Sequence, residues 1–137
     1  MTLQFNQENK NAGNVNNSIT EGGRATKRRI VCLCGSTRFW RQFQSANYEE
    51  TMAGKIVLSV GAYPNAGSAA LPLMQPALTT EQKFALDALH KDKIDLADEV
   101  LILNVGGYVG ESTRSEIAHA RKAGKIIRWL EPARAEL

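Results

Sequence analysis

At 137 residues, 43% hydrophobic and with a formal net charge of +3, the chain has material for one ordinary hydrophobic core and not for two. Its basic residues form no long run or stripe, which argues against a nucleic-acid partner. No stretch approaches the roughly 18 apolar residues of a membrane span, and the N-terminus carries Gln, Asn and Glu where a secretory signal needs an apolar core, so a cytoplasmic protein with no membrane partner is expected.

Residues 1–26 are polar, with asparagines at 6, 9, 11, 14, 16 and 17. Such a composition does not offset the entropy of ordering it, and it reads as a flexible tail ahead of one α/β domain over residues 27–137. Lys27, Arg28 and Arg29 lead into Ile30-Val31-Cys32-Leu33-Cys34, a continuous apolar run of the kind found in a parallel strand buried on both faces. Cys32 and Cys34 are expected to point to opposite faces of this strand and to stay free thiols, as in cytosolic proteins.

Phe39, Phe43 and Ala46 then repeat at helical spacing, and Gly54 stands where a helix ends on a left-handed residue. Ile56 to Val60 is a second short strand. Gly61 to Leu78, with Pro64, Pro72 and Pro76, has the length of a binding loop. Thr79 and Gln82 have the form of a capping box, followed by a helix to about Leu96 with Leu86, Leu89 and Ile94 on one face. Val100 to Leu103 reads as the third strand, Thr113 to Ala123 as a helix closed by Gly124, and Ile126 to Leu130 as the last strand. This alternation predicts a mostly parallel sheet of four to five strands with helices on both faces.

In such sheets ligands bind beyond the carboxyl ends of the strands. Two junctions there carry candidate chemistry: Cys34-Gly35-Ser36-Thr37-Arg38, and Asn104 to Glu116, reading NVGGYVGESTRSE. Arg38 and Arg114 each stand in the first turn of a helix, where a cation opposes the macrodipole at a cost of about 0.3–1 kcal/mol. A bound phosphate removes that conflict by accepting bonds from free helix N–H groups and guanidinium together; pairing with an acid such as Glu111, or a turn to solvent, is the alternative. The candidate binding residues are Gly35, Ser36, Arg38, Tyr108, Gly110, Ser112, Thr113 and Arg114. Tyr108 either stacks on a base or covers the sheet end. Glu116 either presents a carboxylate to the ligand or closes a capping box with Thr113. His90 shares an apolar face with Leu86 and Ile94, as a core histidine or as a catalyst. Asp92, Asp95 and Asp98 cluster before the third strand, and His119 is expected at the surface. No cluster has zinc-site spacing, so neither a metal nor a cofactor is expected.

Cys34-Gly35-Ser36, the strand entry Ala97-Asp98-Glu99-Val100, and GESTRSEIAHA from Gly110 to Ala120 followed by Gly124-Lys125 together resemble the nucleoside 2-deoxyribosyltransferase superfamily. Within it the chain is similar to the small deoxynucleoside 5′-monophosphate N-glycosidases, from about Arg29 to Pro132. The resemblance implies a flavodoxin-like fold, a homodimer or higher homo-oligomer, and cleavage of the bond between base and sugar with Glu116 as carboxylate nucleophile, by hydrolysis or base transfer. The family's second acid falls at His90, with Asp92 two residues away, and a tyrosine that some members carry in the first strand is replaced by Cys32. A nucleotide-binding sensor domain with the pocket and without the chemistry is the other function this sequence fits.

Overall fold

The computed structural model describes residues 27–64 and 76–133. The polar tail and residues 65–75 of the loop after the second strand lie outside the described residues. The apolar run Ile30–Cys34 is strand β1, with all but its first residue buried, and it occupies an inner position of the sheet. It pairs in parallel with β2 (Ile56–Leu58) on one side and with β3 (Glu99–Ile102) on the other; β4 (Ile126–Trp129) lies in parallel beyond β3, giving the order β2-β1-β3-β4. Among the described residues three α-helices connect the strands: α1 (Trp40–Met52), α2 (Thr80–Leu96) and α3 (Glu111–Lys122). The arrangement is α/β and consistent with a flavodoxin-like three-layer fold.

Local chemistry sets the helix ends. The Thr79 capping box forms in full, with Gln82 N–H donating to Thr79 Oγ1 at 3.0 Å and Thr79 N–H donating to Gln82 Oε1 at 2.9 Å. Helix α1 closes through Gly54 at φ +88°, the left-handed conformation that glycine adopts without a Cβ penalty. Helix α3 departs from the expected start at Thr113. Its first helical residue is Glu111 and its N-cap is Gly110, which has no side chain to cap with. Thr113 is therefore the third helical residue, and the Thr113–Glu116 capping box does not form.

The pleat sorts the core into two layers. Cys32, Cys34, Val100 and Ile102 face Ile94 of α2 and Ile117 and Ala120 of α3. Val31, Leu33, Leu101 and Leu103 face Phe43 and Ala46 of α1. The cysteines are two residues apart in one strand, so period-two alternation puts both on the same face, toward α2 and α3. That corrects the expectation of opposite faces; both remain free and buried.

One helix does not cover the whole of its face. Beyond α1, the sheet carries a charge network in place of apolar packing. Arg128 of β4 clasps Glu50 of α1 through two bonds of 2.8 and 3.0 Å and reaches Glu99 Oε1 at 3.1 Å, while Lys55 and Arg29 both hold Glu99 Oε2 and Lys55 also reaches Glu50 Oε1. Glu50 and Glu99 are buried, and the cations satisfy them.

Candidate functional site

The strand order fixes where a ligand can enter. From β1 the chain crosses to β2 on one side, and after α2 it returns to β3 on the other, so a crevice opens beyond the carboxyl ends of β1 and β3. A cavity of about 720 Å³ lies there, lined by the turn after β1, the exit of β2, one face of α2 and the start of α3. Its size is within the roughly 300–1,000 Å³ usual for small-molecule sites.

The turn after β1 is shaped by close packing. A Cβ on Gly35 would stand 3.1 Å from Leu103 Cβ and 3.2 Å from Leu103 O, so glycine lets the turn lie against the end of β3. Ser36 caps the following 3-10 turn: its Oγ accepts from Arg38 N–H at 3.3 Å and from Arg38 Nε at 3.1 Å. The Arg38 guanidinium lies over the Tyr108 ring at 4.5 Å, and Phe39 meets the same ring edge-on. Across the crevice, Lys83 Nζ donates to Ser112 Oγ at 3.1 Å and pairs with Asp87 at 3.2 Å, joining α2 to the first turn of α3. Asn104 at the end of β3 is buried and exchanges two 3.0 Å bonds with the backbone of Glu131, which anchors the glycine-rich junction leading into α3.

Of the residues singled out by sequence, Gly35, Ser36, Arg38, Tyr108, Gly110, Ser112, Thr113, His90 and Glu116 all line this cavity. Arg114 and Asp92 do not. Both are exposed: Asp92 follows His90 by two residues and so turns off the face that His90 presents to the cavity, and Arg114, between the lining residues Thr113 and Glu116, points off the face of α3 that reaches it. Lys83, Asp87 and Lys93 are lining residues that sequence reasoning passed over. Spacing from His90 could have found them, since 83, 87, 90 and 93 fall on one helical face.

Glu116 stands on the second turn of α3, 9% exposed. Its Oε1 is buried and has no hydrogen-bond partner, the one such side-chain atom among the described residues. Burial pushes this carboxyl up to about 7, partly offset by the charge of His90. His90 Nε2 lies 4.0 Å from Glu116 Oε1, 3.6 Å from Cys32 Sγ and 3.5 Å from Cys34 Sγ. The hydrogen bond from Cys34 holds the Cys32 thiol down to about 6 against its burial, with His90 adding to the effect. Cys34 moves the other way, raised by that same bond and by burial. Burial works to lower His90, but its bond to Cys32 and the Glu116 charge leave it raised. The floor of the cavity thus holds a proton-accepting carboxylate and an imidazole, with two buried thiols against the imidazole just beneath it.

No protein-family model matches the chain, and a comparison with curated proteins finds no match.

Proposed function

We propose that this protein cleaves the N-glycosidic bond of a nucleoside or deoxynucleoside, or of its 5′-monophosphate, by hydrolysis or base transfer, with Glu116 as the nucleophile. The observation that carries this reading is the Glu116 carboxylate itself, set in the floor of a cavity of ligand size with its Oε1 unbonded. Because Gly110 is the N-cap and no capping box ties Glu116 down, that oxygen has no structural duty in its own helix. The resemblance of the Gly110–Ala120 segment to the nucleoside 2-deoxyribosyltransferase superfamily supports the same assignment.

A sugar-phosphate ligand has matching groups on the rim. The uncapped N-terminus of α3 offers free N–H groups at Glu111, Ser112 and Thr113, and Arg38 and Lys83 line the same cavity. With the 5′ end held there, the sugar reaches toward Glu116. The carboxylate attacks the anomeric carbon as the base leaves with the bonding pair and takes up a proton, and water or a second base then displaces the sugar from the carboxylate. His90, 4.0 Å away, is the group placed to keep the carboxylate ionised. Assembly as a homo-oligomer belongs to this reading; Ile126 on the α1 face of β4 is 53% exposed among the described residues.

Incubating the full chain with a panel of nucleosides and 5′-monophosphates and following free base by chromatography tests the proposal. Release of base that stops in Glu116→Gln, with a glycosyl adduct on Glu116 detected by mass spectrometry, is the expected result. Saturable nucleotide binding with no base released from any substrate overturns it in favour of a sensor domain, a reading favoured by the engagement of His90 with two thiols in place of a second carboxylate.

A further inference from the structure

Glycoside cleavage gives no role to the two thiols beneath Glu116. They are nonetheless the most deeply buried part of the site: Cys32 is 0% exposed, Cys34 1% and His90 6%. A buried imidazole against two thiols is an unusual way to fill a core when alanine or valine packs without polar atoms. The three ligating atoms, Cys32 Sγ, Cys34 Sγ and His90 Nε2, all lie within 4.8 Å of one another.

Both sulfur–nitrogen separations have the edge length of a coordination tetrahedron. Zinc–sulfur bonds of about 2.3 Å and zinc–nitrogen bonds of about 2.0–2.1 Å at tetrahedral angles separate sulfur from nitrogen by roughly 3.6 Å. The observed separations are 3.6 and 3.5 Å. A second observation is independent of the thiols. The unbonded, buried Oε1 of Glu116 lies 4.0 Å from the same Nε2, a little more than half an ångström beyond the roughly 3.4 Å that a coordinated nitrogen and oxygen would show, a gap that side-chain rotation closes.

We propose that Cys32, Cys34 and His90 form a binding site for a zinc ion, with the Glu116 carboxylate as fourth ligand on the cavity side. Two thiolates and one imidazole are a donor set that favours zinc over magnesium or calcium. Three ligands come from the floor of the fold, two from one face of β1 and one from α2, while the fourth comes from α3, so the ion would tie both helices to the sheet. Binding releases the thiol protons and is therefore weakened by acid. If Glu116 is also the nucleophile, which rests on the reading above, zinc occupies the carboxylate that attack requires, and the loaded protein is the inactive form.

The test uses the full chain, reduced and stripped of metal with a chelator. Zinc chloride is titrated in competition with a chromophoric chelator, and cobalt chloride is titrated with the absorption spectrum recorded. The expected result is one equivalent of metal per chain and a cobalt spectrum with thiolate-to-metal charge transfer and the strong visible bands of tetrahedral geometry. Cys32→Ser and Cys34→Ser each lose affinity by more than the roughly 10–100-fold typical of an outer-shell partner, and Glu116→Gln weakens binding while the charge-transfer band persists. No stoichiometric binding by the unaltered chain, or a cobalt spectrum without thiolate bands, overturns the proposal. The unaltered chain decides the matter even where a cysteine variant does not fold. Base release by the metal-free protein is read separately, so either proposal can fail alone.

Discussion

Glu116 Oε1 faces His90 Nε2 at 4.0 Å across the seam between α3 and α2, with no hydrogen-bond donor closing on that oxygen. A buried carboxylate left in this state costs stability, and an amide of the same shape costs less. Glu116→Gln is therefore expected to melt no lower than the unaltered protein. Its rate of base release falls by roughly 10⁴-fold or more, the scale of losing a nucleophile. Calorimetry alongside single-turnover kinetics separates the two effects; a variant that is both inactive and strongly destabilised would assign Glu116 a structural role.

Arg128 should be a stability residue with a pH signature. Its bonds hold Glu50 below the usual carboxylate range, and although burial pushes Glu99 up, bonds from Lys55, Arg29 and Arg128 outweigh it and leave that group lowered too. A depressed folded pKa contributes stability that is present above the unfolded value, near 4.5, and is lost as pH falls through the folded one. Arg128→Ala leaves Glu50 and Glu99 their lysine and arginine partners, and Arg128 is itself partly exposed, so the expected loss at pH 7 is about 1–2 kcal/mol, well short of the 3–5 for a fully buried pair. The urea midpoints of the two proteins should converge as the pH is lowered below 4.5. A gap that stays constant with pH would mean that Arg128 acts through its packing alone.

The sheet was legible because each strand is an apolar run bounded by turn chemistry, and α2 because Thr79 and Gln82 announce its start. The start of α3 was not. A glycine N-cap gives no side-chain signal, and Thr113 with Glu116 imitates a capping box three residues too late. The site was legible where it follows the chain, at Gly35–Arg38 and Gly110–Glu116. The floor was hidden, because Cys34 and His90 are 56 residues apart and meet only when α2 lies over β1. Asp92 illustrates the limit of counting along a sequence: two residues from His90 on a helix is a different face.

Arg38 separates phosphorylated from unphosphorylated substrates. Its guanidinium is held at the cavity rim by Ser36 Oγ and the Tyr108 ring, so little ordering is left to be done when an anion arrives. A charge-assisted bond is worth about 1.5–3 kcal/mol, so Arg38→Gln should raise KM for a 5′-monophosphate roughly 10–100-fold while leaving the matching nucleoside within a factor of about 2. Equal losses on both substrates would move the phosphate contact elsewhere, to Lys83 and the first turn of α3.

Gly35→Ala tests whether the turn after β1 is built for packing or for the ligand. The added methyl would meet Leu103 Cβ at 3.1 Å and the Leu103 carbonyl at 3.2 Å. Neither neighbour can swing aside, because one is the backbone of Leu103, directly after β3, and the other is the atom fixed to it. The turn must then lift off the sheet, at the roughly 1–3 kcal/mol typical of overpacking, and it carries Ser36 and Arg38 with it. The expected outcome is a lowered urea midpoint together with weaker nucleotide binding by calorimetry. A normal midpoint with binding abolished would show that Gly35 is needed by the ligand and not by the fold.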